Sequence, residues 1–165
     1  MLFRSGLTLL RQKYITYLVV LISFVELFSY CNNYLSYNQN YSFTWQYGYQ
    51  PMVSEIKKIY PDFDQIFITK KYGEPHEFIL FYWPWDPKSY QNDRNLKTDF
   101  HADWYWVDSF DKFKFINDWE ISSLTLPPKS LLVTSPNNSP AGLHLLDTIN
   151  YPDNKPVFQF YTNEN

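Results

Sequence analysis

The longest apolar stretch of the chain covers residues 14–31 and contains one charged side chain, Glu26. A helix needs roughly 17–25 mostly apolar residues to cross a bilayer. Basic residues precede the stretch, and none follows it before Lys57. Because basic residues tend to stay on the cytoplasmic side, the pattern predicts a transmembrane helix at 14–31 in the plasma membrane. Residues 1–13 are then a cytoplasmic basic lead-in, and the remainder of the chain is extracytoplasmic.

Two other interpretations of residues 14–31 stay open. A secretory signal peptide also has a basic start and an apolar core, but this core is long and no small-x-small cleavage site follows it. A buried helix of a soluble protein is also apolar on all sides. In a transmembrane helix, Glu26 should be protonated, lie near the interface or face a partner helix.

The soluble part is predicted to begin at Trp45. Residues 32–44 are polar and aromatic without a helical period, which indicates a linker near the headgroups. Residues 45–165 are enough for one domain with one core. Apolar residues at helical spacing predict a helix between Pro51 and Pro61, and further Pro signals predict helices at 75–83 and 87–93.

The strand pattern predicts the fold class. Short buried strands are predicted at 65–69 and 130–134, and a partly alternating strand with a turn at 108–111 is predicted at 105–115. Residues 143–151 and 156–161 flank the turn signal Pro-Asp-Asn-Lys and predict a C-terminal β-hairpin. Residues 94–104 give no assignment. We therefore expect an α/β domain, three-layer-like, whose mixed sheet is parallel in the middle and antiparallel at the edge.

Composition excludes several classes of function. The formal net charge is -3, so nothing indicates binding to nucleic acid. The chain has 1 Cys, which excludes an intrachain disulfide, and only 4 Gly, with no glycine-rich phosphate loop. Aromatic residues make up 21%, too much apolar material for a disordered chain.

The sequence contains no motif for nucleophilic catalysis, and no cofactor is expected. The three histidines, His76, His101 and His144, lack a partner at ligand spacing, and a metal site needs three or four ligands. The carboxylate pairs at 62/64 and 108/111 are best explained by turn and capping chemistry. No catalytic residue and no metal ligand is therefore assigned.

Two aromatic clusters and one lysine pair are the candidate contact sites. Trp83 and Trp85 form one cluster, and Trp104 and Trp106 form the other. Such rings suit the core of a small domain, a membrane interface, a partner surface or the face of a sugar. Lys70 and Lys71 follow a predicted strand and precede a helix N-terminus, where a phosphate could bind, although a solvated loop explains them equally well.

Eight segments resemble one protein family. They are Trp45-Gln-Tyr-Gly-Tyr-Gln, Ile66-Phe-Ile-Thr-Lys-Lys-Tyr-Gly-Glu-Pro, Phe78-Ile-Leu-Phe-Tyr, Asp86-Pro-Lys-Ser-Tyr-Gln, Ser109-Phe-Asp-Lys-Phe-Lys-Phe, Asp118-Trp-Glu, Leu131-Leu-Val and Tyr151-Pro-Asp-Asn-Lys-Pro-Val-Phe. Together they are similar to the C-terminal extracytoplasmic domain of bacterial membrane glycosyltransferases of the dolichyl-phosphate-mannose–protein mannosyltransferase type. Asn154 departs from the pattern, where glycine is expected.

The resemblance implies the C-terminal part of an enzyme that transfers a sugar from a polyprenyl-phosphate carrier to a glycan or protein acceptor. In that family the catalytic acidic residues lie in an early loop between N-terminal spans, so none is carried over and this chain alone is expected to be inactive. Membrane lipid, the polyprenyl-phosphate sugar and the acceptor are the expected partners.

Two alternatives to the transferase remain. The first is a complete single-span membrane protein with an extracytoplasmic glycan- or protein-binding domain. The second is a secreted hydrolase, which would require signal cleavage and a nucleophile or acid pair.

Overall fold

A computed structural model describes residues 2–40 and 42–163, with side chains described at 11–36, 42 and 44–163. The chain divides into two compact units, Met1–Tyr41 and Ser42–Asn165. The first unit is helical, and the second holds all the strands described below.

The first unit is one long helix, α1, which covers Leu2–Asn40. Its segment Arg11–Ser36 has a mean hydropathy of 1.7, and none of this segment is buried within the structure. One helix near the N-terminus is therefore long and apolar enough to cross a membrane. The linker predicted from residue 32 is wrong as far as Asn40, because this polar run contains no Pro or Gly to end the helix.

Residues 42–163 of the second unit contain three α-helices, with short 3-10 helices between the elements. They are α2 (Tyr49–Ile59), α3 (Pro75–Tyr82) and α4 (Pro87–Gln91). Prolines lie in the first turn of α3 and α4, where a missing N–H costs nothing. Asp86 caps α4 by accepting hydrogen bonds from the backbone N–H and hydroxyl of Ser89, each at 2.8 Å. The 3-10 helices are Ser42–Trp45, Tyr60–Asp62 and Asp118–Ser123.

In the part of the chain that the structure describes, seven strands form one mixed sheet, with the order β2-β3-β4-β1-β5-β7-β6. They are β1 (Gln65–Thr69), β2 (Lys97–His101), β3 (Trp104–Phe110), β4 (Phe113–Ile116), β5 (Ser130–Thr134), β6 (His144–Asn150) and β7 (Pro156–Thr162). The central strand β1 pairs in parallel with β4 and β5. Antiparallel pairs flank this centre on both sides. The predicted α/β class and the C-terminal hairpin are confirmed.

Alternate side chains of the central strands enter two separate cores. Ile66 and Ile68 of β1 join the larger core, which also holds the buried residues of α2 and Ile79 of α3. Phe67 points to the other face, into a smaller core with Ile121 of the last 3-10 helix. The sheet therefore has helices α2 and α3 on one face, called the helical face, and the segment around Ile121 on the opposite face.

Details near the sheet edge differ from the sequence prediction. The unassigned segment 94–104 contains β2, an edge strand on which every residue is exposed, so it lacks the apolar alternation that marks a strand. The turn predicted at 108–111 lies instead at Asp111 and Lys112, since β3 continues to Phe110. In the final hairpin, Asn154 has a φ of 65°, a left-handed conformation that Asn tolerates better than most residues.

Gly48 gives a test of the packing against α2. Its φ of -69° suits any residue, but an added Cβ would lie 2.8 Å and 2.9 Å from the two methyl groups of Val157. We expect Gly48→Ala to lower the free energy of unfolding by about 1–3 kcal/mol, because the methyl group overpacks the core. Urea unfolding of the full chain in detergent, followed by tryptophan fluorescence, measures the loss.

The matched control for Gly48→Ala is a double-mutant cycle with Val157→Ala. Removing the methyl groups of Val157 makes room for the new Cβ, so the double variant should lose less stability than the sum of the single variants. Strict additivity would contradict the steric explanation.

Candidate functional site

A crevice is expected at the carboxyl ends of β1 and β4, because the connections that leave these strands go to opposite faces of the sheet. The chain leaves β1 toward α3, which packs into the core of the helical face. It leaves β4 toward the 3-10 helix Asp118–Ser123, whose Ile121 packs on the opposite face. In open α/β sheets, ligands bind at such a point. The polar side chains near it are therefore the candidate functional site.

Asp118 is the most highly connected acidic group of this site. Its Oδ1 accepts hydrogen bonds from the Thr69 hydroxyl at 2.9 Å and from the Ser135 hydroxyl at 2.8 Å. Lys71 Nζ lies 3.5 Å from its Oδ2, and the Asn138 amide donates to its backbone carbonyl at 2.7 Å. Asp118 thus joins the ends of β1 and β5 to the segment that follows β4.

These contacts hold Asp118 in its charged form. Partial burial by itself raises the pKa of this carboxyl, since burial disfavours charge. The hydrogen bonds from Ser135 and Thr69, with the charge of Lys71, outweigh burial and lower the pKa below the ordinary value of 3.8. The carboxylate is therefore ionised and hydrogen-bonded, as expected of a group that positions its neighbours.

A second polar group lies where β1 leads into α3. Lys70 Nζ lies 2.6 Å from Asp108 Oδ1 of β3. The side chains of Glu74 and His76 are only 10% and 11% exposed, and His76 Nδ1 lies 3.2 Å from Glu74 Oε2 without hydrogen-bond geometry. Burial lowers the pKa of His76 to about 4, with the charge of Lys70 as a smaller cause. Burial also raises the pKa of Glu74.

The lysine pair predicted from the sequence lies at this crevice, but each lysine faces a carboxylate. Lys70 is paired with Asp108, and Lys71 is close to Asp118. A phosphate at this helix N-terminus would therefore have to displace two ion pairs. The neutralised lysines fit a structural role at least as well as an anion site.

The first aromatic cluster, Trp83 and Trp85, lies at the edge of the hydrophobic core. Trp83 and Trp85 are half-buried and pack against the core of the helical face. Their ring centroids are 5.4 Å apart, and both rings also contact Phe113. These two tryptophans mainly cover the apolar interior between α3 and the sheet.

The second aromatic cluster lies on the β2–β3 hairpin and is largely exposed. Phe100, Trp104 and Tyr105 are 57%, 54% and 68% exposed. Phe100 and Tyr105 have ring centroids 4.7 Å apart. Trp106 is half-buried, stacks on His101 at 5.1 Å and donates from Nε1 to the His101 carbonyl oxygen at 3.1 Å. We call Phe100, Trp104 and Tyr105 the aromatic tip.

Sequence reasoning missed the groups that this fold brings together at the crevice. Thr69, Asp118 and Ser135 come from three separate segments, and neither hydroxyl belongs to a recognisable motif. The signal in the sequence was a polar residue at the end of each of the strands β1, β4 and β5 or within two residues after it.

Asp118→Asn tests the role of the charge. Folding lowers the pKa of the Asp118 carboxyl below its ordinary value of 3.8. The stabilisation that its charge contributes is therefore complete above pH 3.8 and is lost as the pH falls through the lowered pKa. We expect the variant to be less stable than the wild type by about 1–2 kcal/mol at neutral pH, and the difference to shrink below pH 3.8. Urea unfolding at a series of pH values measures this difference.

The exposed Asp62→Asn variant is the control for loss of one carboxylate, and it should change stability by less than about 0.5 kcal/mol. A difference between wild type and Asp118→Asn that persists unchanged at low pH would contradict a role for the charge.

The polar groups at the carboxyl ends of β1 and β4 are thus an ionised carboxylate, a buried imidazole and two lysines that face carboxylates. Among the described side chains, no group of three or more His, Cys, Asp and Glu residues could hold a metal ion. Comparisons with protein-family models, with curated proteins and with solved structures find no match for this chain.

Proposed function

We propose that the chain is the C-terminal part of a membrane glycosyltransferase that takes its sugar from a polyprenyl-phosphate carrier. In this proposal α1 crosses the plasma membrane with its N-terminus in the cytoplasm, and the α/β unit is extracytoplasmic. One observation supports this proposal most. An entirely exposed apolar segment, Arg11–Ser36, is followed in the chain by an α/β unit that contains the family-like segments. Exposed apolar surface of this length favours lipid over water.

The α/β unit is proposed to contact glycan or acceptor and not to catalyse transfer. Asp118 is engaged by two hydroxyls and a lysine, which suits positioning better than proton transfer. The rings of the aromatic tip are each more than half exposed, and aromatic rings can stack on the C–H face of sugars. Contact with the acceptor is therefore assigned to the aromatic tip.

The DNA upstream of the Met1 codon tests the transferase proposal. An in-frame continuation that encodes several apolar spans, with acidic residues in the first loop, is the expected result. It would supply the catalytic loop and place α1 last among the spans. An in-frame stop codon close to a ribosome-binding site would overturn the proposal.

The second candidate is a single-span membrane protein whose outer domain binds a glycan or a protein. The specific observation in its favour is again the aromatic tip, because Trp104 and Tyr105 are more than half exposed on an edge hairpin. Tyr105 is paired with Phe100, so these two rings lie on one face of the hairpin, and Trp104 lies on the other face. Isolated exposed aromatic residues are ordinary, but several at the end of one hairpin are typical of contact surfaces. This candidate needs no upstream spans.

Glycan contact at the aromatic tip is tested with the double variant Trp104→Ala/Tyr105→Ala. The wild-type full chain in detergent should bind a mannose oligosaccharide, as measured by isothermal titration calorimetry. Each buried ring contributes about 1.5–3 kcal/mol, so the double variant should bind at least roughly tenfold more weakly.

Trp119→Ala is the matched control for this experiment. Trp119 is 77% exposed but lies in the 3-10 helix Asp118–Ser123, outside the hairpin. It should leave the affinity unchanged. Equal binding by wild type and double variant, or no binding by the wild type, would remove the glycan role of the tip.

A further inference from the structure

A concave pocket of about 390 Å³ lies at the amino ends of β1 and β4, away from the candidate site. This volume is within the usual range for small-molecule sites. Phe113 and Phe115 pack into the core of the helical face, so Lys114 between them points to the opposite face. The side chain of Lys114 therefore reaches the pocket from the face of the sheet opposite α2 and α3.

Two lysines and a serine form one row across the pocket. Lys97 of β2 is paired with Ser109 of β3, and Ser109 is paired with Lys114 of β4. Side chains of paired residues lie on the same face, about 5 Å apart at their Cβ atoms. The row therefore places two amines on either side of one hydroxyl.

Lys114 is held in position, whereas Lys97 is available. Lys114 Nζ donates to Gln65 Oε1 at 2.9 Å and lies 5.3 Å from the centre of the Phe67 ring. Among the described residues, the Lys97 amine has no hydrogen-bond or ion-pair partner. A third lysine, Lys112, donates to the Phe63 carbonyl oxygen at 2.7 Å and is thus engaged. The pocket therefore has the unpaired amine of Lys97 on one side and the hydrogen-bonded amine of Lys114 on the other.

The remaining lining groups suit a ligand with several hydroxyls. The Asn95 amide donates to the Asp111 carbonyl oxygen at 2.8 Å, and Ser109 Oγ donates to the Asn95 carbonyl oxygen at 2.6 Å, so both side chains are fixed. Asp64 also lines the pocket, and its carboxylate would repel a strongly charged anion while it could accept hydroxyl hydrogen bonds. A singly charged polyol fits better than inorganic phosphate.

We propose that this pocket binds an acidic sugar, with the sugar carboxylate between Lys97 and Lys114. The hydroxyls of the sugar then bond with Gln65, Asn95 and Asp64. The inference deepens the proposed function, and it rests on that function for the choice of a glycan as ligand.

Titration of the full chain in detergent with four probes tests the pocket. Glucuronate should bind, while glucose, inorganic phosphate and glucose 6-phosphate should each bind at least roughly tenfold more weakly, as expected for loss or mismatch of one charged contact. Amide chemical shifts in NMR spectra should move for residues of β2 to β4. The affinity for glucuronate should fall as salt is added.

Variants decide whether the lysine row is responsible. Lys97→Gln and Lys114→Gln should each weaken glucuronate binding roughly tenfold, because each removes a charge-assisted hydrogen bond. Lys97 is exposed at a sheet edge, so its variant should keep the wild-type unfolding curve. Lys88→Gln, an exposed lysine of α4 outside the pocket, should leave the affinity unchanged.

Equal affinity for glucuronate and glucose, tighter binding of either phosphate probe, or full binding by both pocket variants would overturn the inference. Loss of mannose binding in Trp104→Ala/Tyr105→Ala, with no glucuronate binding, would reject the pocket and keep the glycan function. Glucuronate binding, together with unchanged mannose binding in Trp104→Ala/Tyr105→Ala, would keep the pocket and reject the glycan function of the aromatic tip.

Discussion

The second unit depends on the burial of β1 on both of its faces. Residues Ile66 to Thr69 are all buried, and both neighbours of β1 in the sheet, β4 and β5, run parallel to it. A parallel strand can be joined to its neighbour only by a crossover connection, and each crossover covers one face. The connection through α3 covers one face, and the one through Ile121 covers the other. The polar contacts of Asp118 lie where the two connections separate.

The elements that were predicted correctly are those in which the pattern of apolar residues and prolines in the sequence indicates a buried strand or a helix start. The buried strands at Gln65–Thr69 and Ser130–Thr134 and the Pro-started helices were predicted within a residue or two. Strand β2 was missed because every one of its residues is exposed, and the backbone hydrogen bonds that create it depend on β3. The end of α1 was missed because polar residues can extend a helix that apolar residues begin.

The candidate site was less predictable than the fold, since its contacts connect distant parts of the chain. The lysine pair was located correctly, but its carboxylate partners lie on β3 and after β4, 38 and more residues away. The two tryptophan clusters have nearly the same composition and different environments. Trp83 and Trp85 follow α3 and close the core, whereas Trp104 and Tyr105 lie at the end of an edge hairpin.

The charged side chains at the two ends of the central strands differ in how they are paired. At the carboxyl end, Lys70 and Lys71 are matched by Asp108 and Asp118, so the field there is largely cancelled. At the amino end, the amine of Lys97 has no such match among the described residues, and Lys114 is bonded only to a neutral amide. Asp64 and Asp111 also line the pocket at the amino end, but neither forms an ion pair with Lys97 or Lys114. A singly charged anion therefore gains more there than at the carboxyl end, where it must displace a carboxylate. This difference makes the pocket, and not the crevice, the stronger site for a charged sugar.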